Sequence, residues 1–420
     1  MLLNFKSIFA LVALSLSGAA YAQSIAITHC FNINNQDTHS LESITKNMKG
    51  IYHLAHDIHC NASQGSVFVP IGNKSTSFSG TLNGNGYTVA DLHIEYPAKQ
   101  RDNPAGLFSD LQGATITNIR FENVEVYSRP DYDVGLIAGV ANNAKISNIT
   151  AQWLRLAPIE GAGKYATNSS GGLLGYSYGN TTLYNVQIQD MSIMRNKIAG
   201  GLIGRAADTT IAYANVSNLV SERIGCGIAA DQMCAIGGLI GRVNGPVHIS
   251  TSSVNGGKIH AVRNAGGLIG YINPEAPITI ENSYSNTVIE INDYFGGGLI
   301  GQGYIEKNAA NITLNNVFVI GKVIGPNKFT GTIIGRSGYD PINTRVKGRN
   351  SYFDTSVYAL HEISGDNGLS KGLTTAQMQG PNDPNYFGQV DANGHYLWDR
   401  GIWTMENGQY PTLNPAPLSH

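Results

Sequence analysis

Apolar residues in this chain come in short alternating runs bounded by Gly, Asn or Pro, as in Ile116-Thr117-Asn118-Ile119-Arg120-Phe121 and Ile146-Ser147-Asn148-Ile149-Thr150. Alternation at period two is the mark of a half-buried strand, and no unit carries a convincing 3.6-residue apolar period. Asn185, Asn215, Asn282 and Asn315 occupy places comparable to Asn118 and Asn148. The spacing accommodates two or three strands of about four to six residues per unit.

The runs are organised by a repeated Gly-Leu-Ile-Gly unit. Its anchors are Leu107, Leu136, Leu173, Leu202, Leu239, Leu268, Leu299 and Ile333, with gaps of 29, 37, 29, 37, 29, 31 and 34 residues. A strand-only unit of this size cannot bury its apolar side alone. Stacking equivalent units at about 4.8 Å sets Leu on Leu and Ile on Ile, which is the coil of a β-helix. Asn at one corner of successive coils either forms a side-chain amide ladder or simply tolerates the turn geometry. The two 37-residue gaps read as loops inserted at a corner, one holding Pro158 to Tyr165 and the other Cys226 to Cys234. Near the N-terminus, Leu41, Ile44 and Met48 share one face of a short helix expected between Asp37 and Gly50, a cap for the open end of the solenoid.

Composition sharpens this picture. Gly is 50 of 420 residues and charged residues are 13%, against roughly 7% and roughly 25% in ordinary domains. So many residues tolerant of left-handed turns, with so little charge to solvate helices, favour strands with tight corners. A net charge of −2 gives no global attraction to nucleic acid or an anionic membrane. Lys6, the apolar stretch from Ile8 to Ala20 and Ala20-Tyr21-Ala22 read as a cleaved signal peptide, residues 1–22, with the mature chain starting at Gln23. No later segment is long and apolar enough to span a membrane. In an exported chain four cysteines favour disulfides, and of the three pairings the local one, Cys30 with Cys60 and Cys226 with Cys234, threads nothing across the repeats. Without a Cys-x-x-Cys pair, zinc is the weaker reading.

Further motifs carry a family resemblance. Ile51-Tyr52-His53-Leu54, Asp57-Ile58, Phe68-Val69-Pro70-Ile71-Gly72, the run from Phe78 to Val89 and Leu92-His93-Ile94 resemble the leading region of bacterial GLUG-motif proteins. Ser351-Tyr352-Phe353-Asp354, Gly372 to Met378 and Trp403 to Pro411 resemble that family's closing segment. The family comprises surface or secreted repeat proteins, and its motif also occurs beside the protease domain of IgA-cleaving metallopeptidases. The resemblance implies an all-β, right-handed parallel β-helix at or beyond the cell surface, with a short N-terminal helical cap and an irregular C-terminal cap. It divides the chain into residues 1–22, a cap and first coils over 23–105, GLUG-type repeats over 106–345 and a closing segment over 346–420.

The search for chemistry points to binding. A metallopeptidase needs His-Glu-x-x-His, and the only His-Glu pair, His361-Glu362, lacks the second histidine. Asp131-Tyr132-Asp133, the one Asp-x-Asp, either offers two oxygens to a cation or is a solvated turn. There is no Gly-x-Ser-x-Gly elbow, and no cofactor or metal is called for. The residue after each anchor's last Gly is Tyr176, Arg205, Arg242, Tyr271, Gln302 and Arg336 in successive units. In register these form a column whose aromatic faces and guanidinium forks suit a glycan or a carboxylate, unless they merely clothe the outer strand. Strict alternation would also put Ile203 on the side of Arg205, so either the intervening Gly bends the strand or one of the two sits unusually. The expectation is an exported, adhesin-like, non-enzymatic protein, secreted, at the cell surface or periplasmic, whose partner is a host-surface protein or glycan. A polysaccharide-processing β-helix enzyme and a structural envelope or matrix component are the alternatives.

Overall fold

The computed structural model describes residues 23–61, 67–96, 103–128, 132–158, 167–194, 196–221, 234–273, 276–303, 312–326, 329–335, 346–357 and 369–417. The chain is an all-β parallel solenoid of about 9 turns. Each central coil contributes three strands. The longest belongs to an 18-stranded sheet, here the long sheet, with members such as Thr115–Ser128, Lys145–Pro158 and Thr181–Ile193. Two 7-stranded sheets complete the coil. The glycine sheet holds short strands such as Asn196–Gly200, and the anchor sheet holds strands such as Ile203–Ala206. The anchor leucines sit in the turn between these two.

Every anchor, Leu107, Leu136, Leu173, Leu202, Leu239, Leu268, Leu299 and Ile333, is fully buried. Leu202 donates its backbone N–H to Leu239 O, Leu239 to Leu268 O and Leu268 to Leu299 O, at 2.8–2.9 Å. Burying one such side chain is worth about 2 kcal/mol, so the column binds each coil to the next. The Gly before the central anchors is required by close approach. A Cβ on Gly172, Gly201, Gly238 or Gly267 would stand 2.0–2.1 Å from the carbonyl oxygen of the equivalent Gly one coil on. The two 37-residue gaps are absorbed at one corner, between long sheet and glycine sheet, because the flanking strands keep register (Leu156 with Ile193, Ile198 with Ala235). The insertions themselves, 159–166 and 222–233, lie outside the described residues, as do residues 1–22, where a signal peptide is expected.

The long strands exceed the expected six residues because left-handed corners fold them without ending them. Asn118 (φ 58°), Asn148 (φ 54°), Asn185 (φ 53°) and Asn282 (φ 48°) form one corner column, and Asp91, Asn123, Trp153, Asp190 and Asn218 a second. Asn tolerates this conformation better than most residues. The kink resets the alternation, so Ile116 and Ile119, three apart, both point into the core. An amide ladder follows: Nδ2 of Asn118, Asn148 and Asn185 donate in turn to Oδ1 of Asn83, Asn118 and Asn148 at 3.0, 2.8 and 2.8 Å. Two corner assignments read from sequence are displaced. Register puts Tyr213, not Asn215, at the corner after Asn185, and Asn316, not Asn315, after Asn282. Asn215 is instead an ordinary strand residue two positions past the kink.

At the N-terminus the expected helix is a five-residue 3-10 turn, Glu42–Lys46, with Leu41 and Ile44 buried and Met48 packed against the core. Asn47 leaves the helical conformation (φ −144°), which ends the turn after Lys46. The Cys30–Cys60 disulfide ties this cap to the first coils. Cys234 is buried and none of the described cysteines is a free thiol, while Cys226 lies outside the described residues.

The closing segment does more than cap. Ser370–Leu373 joins the long sheet beside Val346–Asp354, and the chain then folds over the sheet's outer face. There Tyr284, Phe318 and Tyr352, in register on three coils, meet Phe387, Trp398 and Trp403 in a second apolar core.

Candidate functional site

The column after the anchors is one register line of the anchor sheet: Tyr176, Arg205, Arg242, Tyr271 and Gln302 pair in order. It begins at Tyr176, since Val140 and Asp110 precede it, and Arg336 lies outside the described residues. Ile203 and Arg205 do not share an environment. Ile203 is fully buried and Arg205 partly exposed, with Gly204 between them packed on Ser169 and Ser170 of the glycine sheet.

Much of this column is satisfied from within. Arg205 donates from Nη2 to both oxygens of Asp133 at 2.9 Å and lies 4.8 Å over the Tyr176 ring. Asp133, expected in a solvated turn or on a cation, is therefore a buried ion-pair partner; Asp131 lies outside the described residues. Burial pushes the Asp133 carboxyl above its usual range, opposed by Arg205 and by the Ser169 hydroxyl. Arg242 stacks 5.4 Å from Tyr271, itself buried, and donates to Asn273 Oδ1. A carboxylate ligand would have to compete with Asp133 at Arg205; among the described residues of the column, Arg242 is the cation that faces no carboxylate, though Asn273 and Tyr271 hold it.

A more accessible site lies on the outer face of the long sheet, where residues 412–416 of the closing segment line a cleft that spans four coils. The cleft has a volume of about 430 Å³. Its floor is the register line Gln187, Asn215, Ser253 and Tyr284. One edge is the corner column, where Asn185 is followed by Tyr213 (φ 55°) and Thr251 (φ 47°). Asn215 Oδ1 accepts from Asn255 Nδ2 at 2.7 Å and Ser253 Oγ at 2.9 Å, so these polar groups are held in place. The Tyr213 ring meets Tyr184 edge-on at 5.4 Å. Burial raises the Tyr284 phenol above its usual value, against hydrogen bonds with Asn255 and Ser253. No carboxylate, imidazole, thiol or cation lines this cleft among the described residues.

Of these residues only Asn185 and Asn215 stood out from sequence, as members of the corner series and not as a site, because the signal for the cleft is a gap. The corner asparagine fails in two successive coils, at Tyr213 and Thr251, and the cleft lies there.

One charged cluster lies elsewhere on the long sheet. Glu125 is 3.7 Å from His93 Nδ1 and accepts from Arg155 Nη1 at 3.2 Å, Glu95 is 3.8 Å from His93 Nε2, and Tyr127 stacks on His93. His93, Glu125 and Arg155 are register neighbours, so each faces the next. Burial raises the Tyr127 phenol, with Glu125 adding to the rise and Arg155 opposing it. Among the described residues, no group of three His, Cys, Asp or Glu is placed to hold a metal ion, and no helix is long and apolar enough to cross a membrane.

Residues 33–152 match the family model for the M26 IgA1-specific metallo-endopeptidase N-terminal region, and not the catalytic domain. A 157-residue stretch, 35% of this chain, is 29% identical to halomucin of Haloquadratum walsbyi and covers 2% of it. Among solved structures an IgA1 protease aligns over 90% of this chain and 29% of its own, with TM-score 0.50 and 18% identity, which shows the shared fold. A Bacteroides ovatus structure described as a candidate immunoglobulin A1 protease aligns over 92% of this chain and 91% of its own, at TM-score 0.41 and 15% identity. The chain thus spans a small part of halomucin and under a third of the IgA1 protease. By its repeat, its matched segment and its solenoid, this chain fits a GLUG-motif region of the kind that lies beside M26 peptidase domains.

Proposed function

We propose that the chain is an exported, adhesin-like β-helix that binds a surface glycan or partner protein against the flank of its long sheet and performs no chemistry on it. The observation that carries this reading is the lining of the cleft: amides, hydroxyls and tyrosines without, among the described residues, a carboxylate, imidazole, thiol or cation. Such a wall can hydrogen-bond and stack, yet holds no general acid or base and no set of metal ligands. The Cys30–Cys60 disulfide supports export, since such bonds persist in oxidising compartments. The similarity to halomucin and to the IgA1 protease region agrees with a place outside the cytoplasm.

The alternative of a polysaccharide-processing enzyme draws on the cluster of Glu95, His93, Glu125, Tyr127 and Arg155, which sets two carboxylates beside an arginine. Against it, Tyr127 is pushed away from the ionised form a base requires. Fluorescently labelled residues 23–420, applied to a glycan array and to intact epithelial cells, test the proposal, with chromatography of the array sugars for cleavage products. Saturable retention without products is expected. Products, or no retention on any surface, would overturn it.

A further inference from the structure

The corner amide ladder runs in two pieces, and the break between them lies along the cleft. The first piece ends at Asn185. Its direction is fixed at the start, where the backbone N–H of Asn85 donates to Asn83 Oδ1 at 2.9 Å, so each later amide donates back and offers its oxygen forward. Asn185 Oδ1 is therefore the terminal acceptor, with no donor on it among the described residues. The second piece begins at Asn282, whose Oδ1 accepts from Asn316 at 3.1 Å and from Trp403 Nε1 at 3.4 Å. Asn282 Nδ2 is left as the donor at that end.

Tyr213 and Thr251 fill the two corner places between. A bulky aromatic and a β-branched residue are both unfavourable at positive φ, and strain of this kind gathers where a ligand is held. Asparagine at both places would continue the ladder and relieve the strain. The interruption thus costs stability and leaves, over three interstrand steps of about 4.8 Å each, an acceptor at one end, a donor at the other and a tyrosine face between. A β-linked sugar chain repeats at close to that spacing, has hydroxyls that both donate and accept, and offers C–H faces to an aromatic ring.

We propose that this break is a subsite for a neutral oligosaccharide laid along the solenoid axis, an inference that rests on the reading of this chain as a binding protein. Asn185, Gln187 and Asn215 take the sugar hydroxyls and Tyr213 packs on a ring face. The uncharged lining selects against uronic and sialic acids, whose carboxylates would be desolvated there without a cation.

The test is titration calorimetry of residues 23–420 with cellotriose, xylotriose, maltotriose and tri-N-acetylchitotriose as neutral probes, and trigalacturonate, sialyllactose and a mixed decapeptide pool as others. The decisive variant is Tyr213→Asn with Thr251→Asn, which completes the ladder. At least one neutral trisaccharide is expected to bind, and the variant to lose at least tenfold in affinity while unfolding at an equal or higher temperature. A merely structural role for the two residues would leave affinity unchanged, and that result overturns the proposal, as does binding confined to acidic sugars or peptides. If the double variant keeps its retention on cells and arrays, the subsite is wrong and the binding-protein reading stands. If the parent chain binds no surface at all, both fall.

Discussion

The phenol of Tyr410 donates to the carboxylate of Asp354 at 2.5 Å across 56 residues of sequence. Thr375 Oγ1 donates to the same Asp354 oxygen at 2.8 Å, beside a capping box between Thr374 and Gln377. Three separate closing motifs, Ser-Tyr-Phe-Asp, Leu-Thr-Thr-Ala-Gln-Met and Gln-Tyr-Pro, thus meet at one buried carboxylate, which pins the C-terminal lobe to the last coils and so sets the wall of the cleft.

Burial, followed by the bond to Asp354, raises the Tyr410 phenol to about 12. A raised phenol favours the neutral, folded form, so its contribution is complete below the ordinary tyrosine value of about 10 and is lost as pH rises through about 12. The buried Trp398 and Trp403 report on the lobe. Their fluorescence is expected to shift to the red between those limits. Tyr410→Phe should cost about 2 kcal/mol near neutral pH, as loss of a hydrogen bond to a charged group does, and should reduce the alkaline step to the part carried by Tyr352, which burial beside Trp398 also raises to about 12.

The amide ladder predicts an ordered pair of stabilities. Asn148→Ala removes the bonds to Asn118 and Asn185 and places a Cβ-bearing residue without a polar side chain at φ 54°. A loss of about 3 kcal/mol is expected from two bonds and the left-handed penalty. Asn148→Gly keeps the corner and should lose about half as much, read from urea unfolding followed by circular dichroism. An Asn148→Gly variant as stable as the parent would show that the ladder contributes nothing beyond the turn, and equal losses in the two variants would show that the left-handed corner costs alanine nothing.

Gly201 and Gly86 separate close approach from turn geometry. An alanine at 201 puts its Cβ 2.0 Å from Gly238 O, whereas Gly86 (φ 81°) has nothing within 4 Å. Gly201→Ala is expected to cost at least about 3 kcal/mol by forcing two coils apart, and Gly86→Ala only about 1 kcal/mol. Thermal unfolding of the two variants orders them.

The buried pair of Asp133 and Arg205 predicts asymmetric costs. Asp133→Ala strands a guanidinium and should destabilise by about 3 kcal/mol, while Asp133→Leu combined with Arg205→Met should cost far less. Chemical unfolding of both variants measures the difference. Similar losses would mean that the pair is not the internal partner of the column.

The solenoid was legible because its signal is additive. Leu173, Leu202, Leu239, Leu268 and Leu299 recur with Gly before and after, and each recurrence adds to one inference. The position of Leu107 also fixes which residue follows the last Gly, so Tyr176, Arg205, Arg242, Tyr271 and Gln302 fell on one line. Backbone conformation was not legible. Nothing in the letters Ala-Tyr-Ala-Asn marks Tyr213 as the left-handed residue in place of Asn215, because the kink is imposed by the coils on either side. The lobe was hidden for another reason: Tyr284, Phe318 and Tyr352 lie on different coils and become a surface only after stacking. The cleft inherits both difficulties, being a failure of the corner pattern roofed by that lobe.

The central claim is that this flank binds and the column on the anchor sheet does not. The most direct measurement compares surface retention of the parent chain, of Gln187→Trp, which sets an indole across the cleft, and of Arg242→Ala, which removes the column's described cation that faces no carboxylate. Circular dichroism and melting temperature serve as controls. The account predicts saturable retention that Gln187→Trp reduces at least tenfold and Arg242→Ala leaves intact. Retention that survives Gln187→Trp and disappears in a folded Arg242→Ala would contradict it.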